Sequence, residues 1–149
     1  MWKGMAQSLE VSKVVHTEKT QYQQLGVFDT PLFGRMLSLD GVIQLTEKDE
    51  CSYQEMLAHV PLDSHPHPRR VLVIGGGDGG IAREVLRHGC VEHLDMCELD
   101  ERVCAISKEF FPTTIGVALA QEPRDPRFHL RFADGAAFVQ QSAAESFYD

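Results

Sequence analysis

The sequence lacks most of what would tie it to a metal, a membrane or a nucleic acid. Its four cysteines, Cys51, Cys90, Cys97 and Cys104, form no C-x-x-C pair, so the common zinc spacings are absent. Three of them fall in an α/β pattern, where buried free thiols are common, and a reducing compartment is expected. His65 and His67 stand between prolines without a third ligand, so no metal site is expected there. No apolar run reaches the length of about 20 residues that a membrane helix needs. The opening Met1-Trp2-Lys3-Gly4 carries no leader pattern. These absences lead to the expectation of a soluble, cytoplasmic protein. Basic residues are also scarce, 14 against 22 acidic ones, for a net charge of -8. That balance argues against nucleic acid or an anionic membrane and suits a cationic ligand.

What is present is enough for a core. With 149 residues, 43% of them hydrophobic, the chain can form one ordinary domain or two small ones. From Ser8 to Thr46 the pattern is β. Leu9, Val11 and Val14-Val15 read as a strand with an irregularity, and Tyr22 to Phe28 as a second. Asp40-Gly41, between the apolar arms Arg35–Leu39 and Val42–Leu45, predicts a type I′ hairpin. Asp49 is placed to cap a helix over Glu50–Val60, with Tyr53, Met56, Leu57 and Val60 on one face. Pro61 to Arg70, with three prolines and no apolar period, reads as a linker. The expected division is therefore a β domain with a closing helix over 1–60, a linker over 61–70, and an α/β domain over 71–149.

The α/β part opens on Val71-Leu72-Val73-Ile74 and then Gly75-Gly76-Gly77-Asp78-Gly79-Gly80. A β-branched strand, a glycine loop and a helix (Ile81 to Arg87, closed by Gly89) form the nucleotide-binding start of a doubly wound sheet. Gly75, Gly76 and Gly77 are the backbone a nucleoside would approach. Leu94–Leu99 is a second strand, and Asp100 is a cap for a helix carrying Val103, Ile106 and Phe110. Residues 121–126 form a turn, Phe128–Phe132 a third strand, and Phe147-Tyr148-Asp149 the approach to a fourth. Without that fourth strand the first would be an open edge, so the chain is read as part of a longer one.

Three acids fall at the carboxyl ends of the strands, where ligands of open α/β sheets bind: Asp78, Glu98 and Asp134. Glu98 suits a pair of ribose hydroxyls. Asp134, with room made by Gly135, can either accept from an exocyclic amine or cap a helix. Asp78 is the most informative, because an acid in a loop that held pyrophosphate would repel it. Such an acid fits a ligand with a positive tail, and its position weighs against a nicotinamide-dependent oxidoreductase.

The stretches VLVIGGGDGGIARE (Val71 to Glu84) and LDGVIQLTEKDECSYQEM (Leu39 to Met56) closely resemble the spermidine synthase family. Trp2-x-Gly4 and Ser8-Leu9 resemble that family's opening, although Lys3 and Met5 depart from it. The resemblance implies a small N-terminal antiparallel β domain followed by the first half of a Rossmann-like, methyltransferase-type doubly wound sheet. It implies aminopropyl transfer from decarboxylated S-adenosylmethionine to putrescine, without metal or prosthetic group, by a homodimer. Gln23 and Gln54 resemble contacts to the nucleoside donor, and Tyr53 a putrescine contact. Asp78 resembles the acid that holds the aminopropyl ammonium, Glu98 the ribose ligand, and Asp134-Gly135 the adenine-side pair. The family's general base lies in an Asp-Ser-Ser-Asp-Pro-like segment expected beyond Asp149. No catalytic residue is therefore expected within this chain, which alone should be inactive. The alternatives are a spermine synthase, a putrescine N-methyltransferase, or a non-catalytic regulatory paralogue.

Overall fold

The computed structural model describes residue 4 and residues 8–114, 119, 125–142 and 147–149. The expected opening at Trp2 and most of the turn at 121–126 lie outside the described residues. The chain divides into two compact units, Met1–Glu50 and Cys51–Asp149.

The first unit is a four-stranded antiparallel sheet in sequential order: β1 (Lys13–Lys19), β2 (Gln24–Thr30), β3 (Gly34–Leu39) and β4 (Val42–Thr46). The register of β1 slips between Val14 and His16, the irregularity expected there, but Leu9 and Val11 precede the strand. Tyr22 and Gln23 also lie outside their expected strand. They sit in a turn held by Thr20, whose hydroxyl accepts the Tyr22 and Gln23 N–H groups at 3.1 Å each. The turn between β3 and β4 has φ of 50° at Asp40 and 76° at Gly41, as a type I′ turn requires. Asp40 also accepts the Gln24 N–H at 2.8 Å, which ties the hairpin tip to β2. Leu25, Val27, Leu37 and Leu45 are buried.

The second unit begins with α1 (Glu50–Ser64), followed by β5 (Arg70–Ile74), α2 (Gly80–Leu86), β6 (His93–Glu98), α3 (Glu101–Phe110), β7 (Phe128–Phe132) and α4 (Gly135–Ser142). Its three strands are parallel in the order β5-β6-β7. Val73, Leu94, Met96 and Phe128 form one core with Ala82, Val85 and Leu86 of α2.

Two expectations about α1 change. The helix falls almost wholly in the second unit, where Ala58 and Leu62 join the core. It also runs through Pro61 to Ser64, since burial of Leu62 holds its last turn in place, so the linker shrinks to residues 65–69. Tyr53, Met56, Leu57 and Val60 do share a face, but that face is exposed, and the buried stripe is Gln54, Ala58 and Leu62. Asp49 precedes the helix and accepts a hydrogen bond from the Thr46 hydroxyl.

At the open edge of β5 the Asp149 N–H donates to the Arg70 carbonyl at 3.0 Å. The Asp149 carboxylate accepts from the Arg69 and Arg70 N–H groups at 2.8 and 2.9 Å, which lowers its pKa to about 2. The expected approach to a fourth strand thus lies beside β5, although residues 147–149 are not themselves a strand.

Candidate nucleoside site

Parallel pairing of β5, β6 and β7 brings Asp78, Glu98 and Asp134 to one end of the sheet. The ladder continues past the strand ends, with Gly75 N–H donating to the Cys97 carbonyl at 2.8 Å and Ala133 N–H to the Glu98 carbonyl at 3.0 Å. Burial first, then the charges of Glu98 and Asp134, pushes the Cys97 thiol up and keeps it neutral.

The glycine loop is shaped by its neighbours as much as by its own freedom. Gly75 and Gly76 take φ of 79° and 82°, in the left-handed region. A Cβ at Gly80 would fall 1.9 Å from the Gln54 amide, and Gln54 is wholly buried. Gly80 is therefore the residue that lets α1 press a polar side chain against the loop. A Cβ at Gly77 would meet Glu98 Oε2 at 2.9 Å.

Each acid is held by named donors. Asp78 Oδ1 accepts from Gln54 Nε2 at 2.7 Å and from the Gly80 N–H at 2.8 Å. Glu98 is buried; its Oε2 accepts from the Gly77 N–H and its Oε1 from the Asp100 N–H, each at 2.9 Å. A carboxylate oxygen can accept more than one hydrogen bond, so these contacts fix Glu98 in direction without exhausting it. Asp134 Oδ1 accepts from the Ala137 N–H at 2.9 Å and so caps α4, the second of its two readings. The room at Gly135 is taken on one side by Ile74, whose Cγ2 would lie 2.4 Å from an added Cβ. Asp100 caps α3 as expected, accepting from the Arg102 N–H.

Behind the loop lies a buried polar network that the sequence reading missed. Arg83 Nη2 donates to Gln54 Oε1 at 3.2 Å, Arg83 Nε to Glu84 Oε1 at 2.7 Å, and Arg83 Nη1 to the Thr114 carbonyl. Glu84 is 2% exposed and also accepts from Arg87 at 2.8 Å. Burial alone would raise its pKa, but the hydrogen bonds from Arg83 and Arg87 outweigh it and hold the carboxyl below its ordinary range. The signal in the sequence was Arg83-Glu84 set inside the apolar run from Ile81 to Leu86.

Gln23 lies in the first unit and Tyr53 on the exposed face of α1, where it is 57% exposed and not packed in a core. A groove of about 350 Å³ bounded by α1, β5 and Tyr148 holds none of the three acids. Among the described residues no group of three or more His, Cys, Asp or Glu could hold a metal ion, and no helix is long and apolar enough to cross a membrane.

Known proteins share both units. Residues 2–47 match the family model described as spermidine synthase tetramerisation domain, and residues 50–149 that of the spermine/spermidine synthase domain. The chain is 53% identical over 149 residues to spermidine synthase 1 of Pisum sativum, covering all of this chain and 43% of that protein. It is likewise 53% identical to the spermidine synthase of Coffea arabica, covering 45% of it. Two solved structures superpose with a TM-score of 0.81 at 39% identity over 89% of this chain. One is the spermidine synthase of Thermotoga maritima, of which 45% is covered. The other is a spermidine synthase in complex with the transition-state analogue AdoDATO, of which 44% is covered. The chain thus spans less than half the length of these relatives, and it belongs to the spermine/spermidine synthase family.

Proposed function

We propose that these residues form the donor-binding part of a spermidine synthase, which moves an aminopropyl group from decarboxylated S-adenosylmethionine to putrescine. The observation that carries this reading is Asp78, an acid inside the glycine loop, oriented by Gln54 and by the Gly80 N–H. A carboxylate there attracts an ammonium tail and repels a carboxylated one. Glu98, pinned between Gly77 and Asp100, is proposed to take the ribose hydroxyls. Asp134 keeps its backbone cap and is proposed to meet the adenine amine with its remaining acceptor capacity. Gln23 is proposed as a further nucleoside contact and Tyr53 as a putrescine contact. The relative solved with AdoDATO supports the small-molecule class.

The transfer needs in-line placement of an amine against the sulfonium-bound carbon, because the leaving thioether is neutral. It also needs a base to take the amine proton. We assign no such base within residues 1–149, so these residues alone should show no turnover. Products are spermidine and methylthioadenosine. A cytoplasmic location and self-assembly through residues 2–47 complete the reading. Light scattering on the complete protein tells the expected dimer from the tetramer that the family model's description suggests.

The test is calorimetric binding of decarboxylated S-adenosylmethionine and of S-adenosylmethionine to the complete protein. Preference for the decarboxylated donor by about 100-fold is expected, because its ammonium makes a charge-assisted hydrogen bond while the carboxylate of the other donor is repelled. Preference for the carboxylated donor sinks the assignment in favour of a methyltransferase.

A further inference from the structure

The orientation of Gln54 can be settled by chemistry alone. An arginine can only donate hydrogen bonds and an ionised carboxylate can only accept them. With Arg83 Nη2 at 3.2 Å on one side and Asp78 Oδ1 at 2.7 Å on the other, the Gln54 carbonyl must face Arg83 and its NH2 must face Asp78. The reverse amide would point a carbonyl at a carboxylate. Arg83 cannot drift, because Glu84 holds its Nε and the Thr114 carbonyl its Nη1. Its side chain is only 16% exposed, and Gln54 is fully buried, so no bulk water substitutes for a lost donor.

We propose that Arg83 is a positioning residue for Asp78. It acts through Gln54, locking the amide so that its NH2 aims the loop carboxylate at the cationic tail of the donor. In this role Arg83 does not itself touch the ligand. The inference rests on the donor assignment above for the identity of that tail.

Decarboxylated S-adenosylmethionine and methylthioadenosine provide the test, since they share a nucleoside and only the first carries the ammonium tail. Both are titrated into the complete wild-type protein and into Arg83→Met and Arg83→Lys. Lysine keeps a cation beside Glu84, but one ammonium lacks the planar fork needed to serve Glu84 and Gln54 together. The expected result is about 10-fold weaker binding of the tailed ligand in both variants, the worth of one oriented buried hydrogen bond. Methylthioadenosine binding should stay within about twofold, on the same reasoning. Equal weakening of both ligands would show that Arg83 only supports the fold, and unchanged binding of both would show that Gln54 orients itself; either overturns the proposal. If Arg83→Met does not fold, Arg83→Lys decides. If neither folds, the role is structural and the proposal falls. Wild-type protein that binds methylthioadenosine but not the tailed donor overturns the donor assignment, and this inference with it. Tight wild-type binding with an indifferent Arg83→Lys overturns this inference alone.

Discussion

The two compact units handle charge in opposite ways. In the antiparallel sheet the Asp29–Arg35 pair spans β2 and β3 at 2.9 Å, with both side chains about a third exposed. In the parallel unit Glu84, Asp95 and Glu98 are 2%, 3% and 8% exposed, and each is surrounded by donors. Asp95 accepts from Arg131 at 2.9 Å and from the Tyr148 hydroxyl at 2.7 Å, and His93 Nε2 lies 2.7 Å away. Burying a carboxylate costs several kcal/mol unless hydrogen bonds and cations replace the lost water. The first unit avoids that cost by keeping its charges wet. The second accepts it and gains carboxylates fixed in direction, which a binding site needs and a scaffold does not.

The comparison is broken most sharply at two glycines. Gly80→Ala drives a Cβ into the buried Gln54 amide, with neither side free to move, and a loss of about 3 kcal/mol is expected. Gly41→Ala meets nothing within 4 Å and carries only the strain of its positive φ, about 1 kcal/mol. Urea unfolding of both variants checks the ordering, and equal losses would mean that the loop is no more tightly packed than the hairpin.

A smaller effect than at Gly80 is expected at Asp95. Burial pushes its pKa up, but hydrogen bonds from His93, Tyr148 and Arg131 outweigh this and hold the carboxyl below its ordinary value. A depressed carboxyl contributes stability above the unfolded pKa, near 4, and loses it as the pH falls through the folded one. Asp95→Asn should therefore cost about 1–2 kcal/mol at neutral pH and flatten the acid limb of melting temperature against pH. An unchanged acid limb would remove Asp95 from the comparison. The smallest effect is expected in the first unit, where Asp29→Asn should cost about 0.2–1 kcal/mol and lose that effect at high salt. A larger, salt-independent loss would show that this pair is not a surface pair in the protein.

The sequence was most legible where one residue type has one physical reason to be present. Asp40-Gly41 announced its turn, β7 runs over Phe128–Phe132 as its alternation predicted, and the glycine loop sits between β5 and α2. The three acids at the strand ends were legible for the same reason, since strand direction alone places them. α1 was misread because apolar periodicity counts methyl groups and not hydrogen bonds. Tyr53, Met56, Leu57 and Val60 made the better stripe on paper, yet the helix buries Gln54, whose amide has two partners waiting, beside the small Ala58. A buried amide leaves no apolar signature, so both the helix face and the network behind Asp78 stayed hidden.

The fit of Gln54 into the space at Gly80 also bears on motion. Asp78 and Gln54 are 24 residues apart, and the amide between them is sealed only when α1 and the loop are both in place. Helix and loop therefore form one cooperative unit of local opening. Neither frays without breaking the hydrogen bonds of the buried Gln54 amide to Asp78 and Arg83. A loop of glycines, which by composition should be among the softest segments of the chain, inherits the stiffness of the helix behind it.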